Sequence, residues 1–375
     1  MTITRRDILA GLAAGASPGA WAAADGDIVV GQVGPFTGIP VPDAPQLNEG
    51  LKAAFAQANA RGGVNGRRIA LFEVDDTYTG DGFVNAFAAA MKRRPVALLS
   101  PVGSVALKRM LDDKLLDSAD VIVLNAIPGA EALRDPGHPK LFHIRAGDRQ
   151  QIEKIVLHAD TLSVRRLGVL HQNIPIGTSG LAVASEVAKL TGRVAVTPFA
   201  ATLEQPSLAA AALKLQQADT QAVLVVGAPR FMADGVAELR KAGLRQFIFA
   251  LSYVPPGLVF KVAGPAARGV ALAQTYPNPN SVTLPLVREM RAAMAEISSK
   301  TTSYTSFHLE GYITGRVFIE AARRTRDVGA EMLARTLHSM GEIDLGGFRV
   351  DFSKGNVGSR FVDIGVVNVE GRLVY

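Results

Sequence analysis

A regular alternation of strand-like and helix-like segments along almost the whole chain restricts its fold more than any other feature. Strands are predicted at 28–33, 69–74, 96–100, 121–124, 141–145, 167–171, 194–199, 222–226, 247–251, 270–275, 347–352, 361–369 and 372–374. Helices are predicted at 47–60, 83–93, 105–116, 149–161, 178–191, 207–218, 231–242, 256–263, 283–297, 305–324 and 330–339. Strands that alternate with helices of this length predict parallel sheets with helices on both faces.

The number of such units is too large for one compact doubly wound sheet, and 375 residues suffice for two domains. We therefore predict an α/β fold of two doubly wound parallel-sheet lobes joined by a three-strand hinge. Residues 25–145 and 274–346 are assigned to lobe 1, and residues 146–273 and 347–375 to lobe 2. A cleft between two such lobes is a natural place for a ligand.

The first 24 residues have the pattern of an export signal. Arg5 and Arg6 precede a weakly apolar run at 8–16, and small residues follow up to Ala24. The paired arginines are similar to a twin-arginine signal, and an ordinary secretory signal is the alternative. Both predict cleavage near Ala22–Ala24 and a mature chain in the periplasm. No membrane span is expected in the mature chain, because no other apolar run approaches the roughly 18 residues that a span requires.

Composition and motifs exclude several classes of chemistry. The chain has no cysteine, which removes disulfides, thiol catalysis and Cys-ligated metals. Its six histidines show no metal-binding spacing, and no phosphate-binding or dinucleotide loop is present. The net charge of +6 comes from short, scattered basic groups, so no nucleic-acid partner is expected. No cofactor is implied. His308 and Glu310 are two positions apart on a predicted helix, and both are expected at the surface.

Five motifs occur in an order that points to a known family. They are 30–38 (VGQVGPFTG), 59–67 (NARGGVNGR), the acidic pair 75–76, the strand 142–145 (FHIR) and Gly311-Tyr312. The set resembles the periplasmic substrate-binding proteins of branched-chain amino acid ABC transporters, the leucine/isoleucine/valine-binding type. The resemblance implies a venus-flytrap fold that traps a small solute between two lobes and delivers it to a membrane permease.

The resemblance also implies first-lobe contacts to the solute. Ser104 matches the loop hydroxyl that holds a ligand carboxylate, and the next loop supplies backbone groups from Ala126, Ile127 and Pro128. The family's second hydroxyl falls on or beside Gly129, where this chain has no side chain.

Second-lobe positions depart further from the family pattern. The family's aromatic residue falls near Ala228, and its acidic residue, which pairs with an amino group, falls near Tyr253. Ile176 is expected to border the ligand at a helix N-terminus. Phe36, Tyr78 and Tyr253 could form aromatic walls, although Phe36 could equally be core and Tyr78 could serve the turn at Asp76. The solute is therefore expected to be an amino acid or a related small carboxylate or amide.

The sequence is compatible with three functions. The first is a periplasmic receptor for a small-molecule solute that docks, as a monomer, with an ABC transporter permease. The second keeps the binding fold but passes the signal of the bound solute to a sensor. The third, a periplasmic α/β enzyme, is remote, because no nucleophile or metal site can be named.

Overall fold

A computed structural model describes residues 26–38, 43–298 and 303–375. The predicted signal peptide at 1–24 lies outside the described residues. The strands are β1 Ile28–Gly34, β2 Ile69–Asp75, β3 Ala97–Leu99, β4 Ile122–Leu124, β5 Leu141–Phe142, β6 Arg166–Gln172, β7 Ala195–Ala201, β8 Ala222–Val226, β9 Phe247–Ala250, β10 Val270–Gln274, β11 Ile343–Asp344, β12 Arg349–Val350, β13 Asp363–Val367 and β14 Leu373–Val374. The helices are α1 Asp43–Ala60, α2 Gly80–Met91, α3 Ser104–Asp112, α4 Leu115–Ser118, α5 Asp148–Thr161, α6 Pro175–Thr191, α7 Gln205–Gln217, α8 Pro229–Lys241, α9 Pro256–Ala263, α10 Pro285–Ile297, α11 Ser306–Arg324 and α12 Ala330–Ser339.

These strands form two large sheets. The first contains five parallel strands in the order β2-β1-β3-β4-β5. The second contains seven in the order β14-β13-β10-β9-β8-β6-β7, of which β13 and β14 run antiparallel to their neighbours and the rest are parallel. The chain order reverses around β1 in the first sheet and around β6 in the second. The predicted α/β class with two doubly wound sheets is confirmed, with an antiparallel edge added to the second sheet.

Helices α1 and α11 pack tightly on the first sheet, and glycines permit their close approach. A Cβ on Gly50 would clash with the carbonyl oxygen of His308, and a Cβ on Gly311 would clash with that of Leu47. The two helix backbones therefore touch where these glycines face each other. This contact fixes the N-terminal ends of both helices beside the carboxyl edge of the sheet.

The chain passes between the two lobes after β5, after β10 and after β12. The first and third connections run side by side, because the amide of His143 donates to Asn356 O (2.7 Å) and the amide of Gly358 donates to His143 O (2.8 Å). Together with the second connection they form the hinge that joins the sheets.

The assignment of 347–352 to the second lobe is wrong. Phe348, Val350 and Phe352 pack in the core cluster of the first lobe. The Phe352 ring lies 5.4 Å from that of Phe142, and the Phe348 ring lies 5.2 Å from that of Tyr276. Strands β11 and β12 pair antiparallel as a hairpin, and the last connection follows this hairpin instead of preceding it. An apolar run of this kind can cover either lobe, so its pattern alone could not decide.

The surface assignment of His308 and Glu310 is also wrong, since both are buried at 3% and 1% exposure. Helix α11 is enclosed on almost every face, so residues on opposite sides of it are both covered. His308 faces α1, where its Nε2 lies 3.2 Å from Glu49 Oε2. Glu310 faces the strand ends near the hinge. Separately, none of the helices in the described ranges is both long enough and apolar enough to cross a bilayer.

Candidate ligand-binding cleft

The loops at the carboxyl ends of the strands define the candidate site. In an open α/β sheet, ligands bind outside the carboxyl ends of the strands, where the strand order reverses. In the first sheet these loops follow β1, β2, β3 and β4. In the second sheet they follow β6, β8 and β9. The two sets face each other across the hinge.

An apolar layer joins the two lobes at this place. Five first-lobe residues belong to the same buried cluster as the second sheet: Ala44, Leu47, Val102, Ile127 and Phe307. They come from α1, from the loops after β3 and β4, and from α11. Tyr253, from the loop after β9, belongs to the same cluster and is 8% exposed. The lobes are therefore in contact at the strand ends as well as at the hinge.

Phe36 lies in the loop after β1 and is half-buried against the cluster shared by the two lobes. Asp75, at the end of β2, fixes this loop: its Oδ1 accepts hydrogen bonds from the amides of Phe36 (3.0 Å), Thr37 (3.2 Å) and Thr77 (3.0 Å). These bonds to the charged carboxylate lower the pKa of Asp75, although burial opposes them. Asp75 thus holds the turn that presents Phe36 to the opposite lobe.

Tyr78 lies at the rim of the cleft with 45% of its surface exposed, and it has a left-handed backbone with φ of 58°. Its amide donates to Oδ1 of the buried Asp76 (2.9 Å). A Cβ on Gly103 would lie 3.2 Å from the Tyr78 ring, which places that ring over the start of the next loop. Ser104, the first residue of α3, is exposed beside it. Tyr78 therefore serves the Asp76 turn and also lines the rim.

Ala126, Ile127 and Pro128 are buried in the loop after β4. The carbonyl of Ala126 lies 3.2 Å from His143 Nδ1, and Ala126 packs in the interior core of the first lobe. The amide of Ile127 donates to Pro101 O (3.0 Å), and Pro128 has no amide hydrogen. Ile127 therefore contributes an apolar wall to the cleft, and neither Ile127 nor Pro128 offers a backbone donor.

Ile176 and Ala228 lie at the corresponding edge of the second sheet. Ile176 is half-buried in the first turn of α6, and Ala228 precedes α8. Gln172, at the end of β6, links the two loops, because its Oε1 accepts a hydrogen bond from the Ala228 amide (2.9 Å). Pro175 and Pro229 occupy the first helical positions, which suits helices that begin abruptly after a strand.

Tyr253 connects the cleft to the hinge. Its hydroxyl donates to Asp148 Oδ1 (2.5 Å), and the Arg145 guanidinium lies 5.0 Å from its ring centre. A Cβ on Gly129 would clash with the Tyr253 hydroxyl oxygen and would lie 2.5 Å from Asp148 Oδ1. The tyrosine hydroxyl therefore occupies the space that a side chain at position 129 would fill.

A buried polar cluster lies beneath this contact. Arg145 Nη2 donates to Ser252 Oγ (2.7 Å), and Arg145 Nη1 lies 3.4 Å from Glu310 Oε2. Glu310 also accepts hydrogen bonds from Asn125 Nδ2 and from the Tyr276 hydroxyl, both at 3.1 Å. Burial raises the pKa of Glu310, and Arg145 partly opposes that rise. Arg145 thus ties the second-lobe loop after β9 to the first-lobe helix α11.

Several buried polar atoms near the hinge have no hydrogen-bond partner among the described residues. They are Asp43 Oδ1, Arg134 Nη2, His143 Nε2, Arg145 Nε, Asp148 Oδ2 and Gln151 Nε2. Native proteins leave few such atoms, because each costs about 1–3 kcal/mol, more when it is charged. Both lobes therefore contribute unpartnered donors and acceptors to this region, and a polar solute could bond to them.

Asp43 is the most unusual member of this set. It begins α1, is 6% exposed, and burial raises its pKa to about 7. Arg145 lowers this pKa and Glu310 raises it further. The neighbouring residues of α1, Ala44 and Leu47, belong to the apolar layer between the lobes. Burial raises the pKa of the Tyr78 hydroxyl, and the charges of Asp43 and Asp76 raise it further.

Sequence reasoning did not identify Asp43, Arg134, Asp148, Gln151 or Glu310 as site residues. Asp43 and Asp148 each stand at the start of a helix, where an aspartate ordinarily serves the helix terminus. The signal that could have found the cluster is the motif at 142–145, whose arginine ends a buried strand at a lobe connection. In the described part of the chain, no group of three or more His, Asp or Glu side chains is arranged to hold a metal ion.

Residues 27–370 match the family described as periplasmic binding protein. The solved structure of an extracellular ligand-binding receptor from Verminephrobacter eiseniae is 50% identical, with a TM-score of 0.89, and the match covers 93% of this chain and 100% of that chain. A substrate-binding periplasmic protein from Ralstonia solanacearum is 30% identical, with a TM-score of 0.83, over 93% of this chain and 99% of that chain. A Leu/Ile/Val-binding protein homolog 2 from Brucella abortus is 46% identical over 50 residues, 13% of this chain and 14% of that protein. The chain thus spans about a seventh of the length of that curated relative.

Proposed function

The chain belongs to the family of periplasmic binding proteins, and from this membership we propose that it is a solute-binding receptor of the periplasm. In this proposal it traps a small solute between its two lobes and delivers it to the permease of an ABC importer. The solute is an amino acid or a related small carboxylate or amide. The lobes are 26–145 with 276–358, and 146–275 with 359–375.

One observation supports this proposal above the others. The loops at the reversal points of the two sheets face each other, and apolar residues from both lobes line their contact. Apolar walls provide affinity, and a few aimed polar groups provide orientation and specificity. Both kinds of group are present here, and both lobes contribute them. A solute that touches both lobes favours the closed arrangement over the open one.

A thermal-shift screen of the protein purified from the periplasm of an expressing host tests the proposal. The panel contains branched-chain and aromatic amino acids, their amides, aliphatic diacids and aromatic carboxylates. A solute present at 1,000 times its dissociation constant stabilises the folded state by about 4 kcal/mol. We expect at least one class to raise the melting temperature. A panel that leaves the melting temperature unchanged throughout contradicts the receptor function.

A further inference from the structure

We propose that Asp43 is the acidic partner of a cationic amino group on the solute, so that the cleft prefers amine-bearing solutes over equivalents without the amine. This inference rests on the proposed receptor function and adds a chemical class to it.

The position of Asp43 is the first argument. Helix α1 starts at Asp43, and Ala44 and Leu47 on its first two turns belong to the apolar layer between the lobes. The loop of Phe36 lies before it in the chain, and the packing of α1 against α11 holds the helix end in place. The carboxylate therefore stands at the boundary between the lobes, on a rigid element.

The second argument is that one oxygen of this buried carboxylate has no hydrogen-bond partner among the described residues. Asp43 is only 6% exposed, and no described residue donates a hydrogen bond to its Oδ1. Ionised carboxylates in protein interiors are almost always paired, because an unpaired one is costly. A cationic group that entered with the solute would supply the missing partner.

The third argument is the balance of buried charge around the hinge. Two buried cations, Arg134 and Arg145, stand against four buried carboxylates at the cleft and hinge: Asp43, Asp76, Asp148 and Glu310. Arg145 directs its two terminal nitrogens to Glu310 and Ser252. Arg134 donates to the carbonyls of Pro128 and Arg145.

The nearby histidine does not restore this balance. His143 is also buried at the hinge, but burial and Arg134 hold its pKa well below the usual value, so it is neutral at neutral pH. The buried carboxylates therefore outnumber the buried cations, and a cationic group on a solute would reduce the excess of negative charge when they are ionised.

The unpartnered donors define the remainder of the solute. Arg134 Nη2, Arg145 Nε and Gln151 Nε2 are donors without acceptors. A solute with an acceptor group next to its amine could use one of them as the lobes close. The carboxylate or amide of an amino-acid-like molecule has this chemistry.

The experiment compares matched solutes by isothermal titration calorimetry. Leucine and phenylalanine are measured beside 4-methylpentanoate and 3-phenylpropanoate, which lack only the amine. Any other solute found in the thermal-shift screen is compared with its own amine-lacking or amine-bearing equivalent. We expect the amine-bearing member of each binding pair to be favoured by at least about tenfold.

The variant Asp43→Asn keeps the size of the side chain and removes its charge. We expect it to abolish most of the amine preference while affinity for the amine-lacking member changes little. The matched control is Asp81→Asn, an exposed acid in α2 whose side chain is 88% accessible, which should keep the full preference.

Each outcome decides the proposal. An amine-lacking solute that binds the wild-type protein as well as its amine-bearing equivalent overturns the role of Asp43 but leaves the receptor function intact. An amine preference that survives Asp43→Asn overturns it in the same way. Failure of all solutes to bind contradicts the receptor function and the role of Asp43 together. Because the comparison on the wild-type protein stands alone, an unfolded variant would not prevent a decision.

Discussion

The cleft depends on a small number of residues whose environments are decided by contacts across the lobes. Gly129 in the first lobe and Tyr253 in the second show this dependence most clearly. The sequence shows that each departs from the family pattern, but only the structure shows that the two departures fit together. The tyrosine hydroxyl occupies the volume beside Gly129 and donates to Asp148. The backbone of Gly129 is not in the left-handed region, so its conformation does not require a glycine. The close approach of the opposite lobe does.

The substitution Gly129→Ala should therefore oppose closure of the lobes. The added methyl group would meet the Tyr253 hydroxyl and Asp148 Oδ1. We expect solute affinity, measured by calorimetry, to fall by at least about tenfold, which is about 1.4 kcal/mol. The matched control is Gly257→Ala in α9, where no atom lies within 4 Å of the added Cβ. Unchanged affinity in Gly129→Ala would show that the lobes do not need to approach at this point.

The buried charge of Asp43 should also appear in the pH dependence of stability. The raised pKa of about 7, against 3.8 for an ordinary aspartate, means that the folded protein holds this proton more tightly than the unfolded chain between these values. Stability contributed by this group is thus lost as the pH rises toward 7. Arg145 and Glu310 face the carboxylate, and both are unchanged in Asp43→Asn.

Chemical denaturation of the solute-free wild-type protein and of Asp43→Asn at pH 5 and pH 8 measures this effect. The unfolding free energy of the wild type minus that of the variant should fall by about 2 to 3 kcal/mol from the lower pH to the higher. A difference that stays constant between the two pH values would mean that Asp43 titrates normally.

At the scale of elements, the sequence predicts a helix or a strand well where the signal lies in neighbouring residues. The strand β1 and the helix α9 follow directly from their apolar periodicity and their flanking glycines and prolines. The same local signals do not show which lobe an element packs against or which of its side chains are buried. The hairpin of β11 and β12 has an apolar pattern that could cover either lobe, and Glu310 lies on a helix whose polar residues could equally have faced water. Burial of a charged residue depends on which elements surround it, and one sequence does not specify that.

The contact between α1 and α11 gives a test at this scale. In Gly311→Ala the added Cβ would clash with the backbone of α1 at Leu47, which cannot move as a side chain can. Overpacking of this kind costs about 1–3 kcal/mol, which exceeds the roughly 1 kcal/mol that alanine gains over glycine in a helix. We expect a lower unfolding free energy, measured by denaturant titration.

Gly257→Ala is again the matched control, because it adds the same methyl group in open space. It should leave the unfolding free energy unchanged or slightly higher. Equal stability of Gly311→Ala and the wild type would contradict the close approach of the two helices.

At the scale of the whole molecule, three connections join the two lobes. The first and third connections are hydrogen-bonded to each other near His143, and the second connection, after β10, runs separately from them. Such a hinge allows rotation between lobes while each sheet keeps its own core. The candidate site exists only when the loops of both sheets come together, and the polar groups of the cluster are then supplied from both sides.

The central claim is that a solute closes the two lobes, and the distance between them tests it most directly. The chain has no cysteine, so Val105→Cys on the first lobe and Leu203→Cys on the second give two unique labelling sites, 62% and 44% exposed respectively. Double electron–electron resonance between spin labels at these sites reports the interlobe distance with and without a solute identified by the thermal-shift screen. Our account predicts a shorter and narrower distance distribution when the solute is saturating. A distribution that the bound solute leaves unchanged would contradict closure around the ligand.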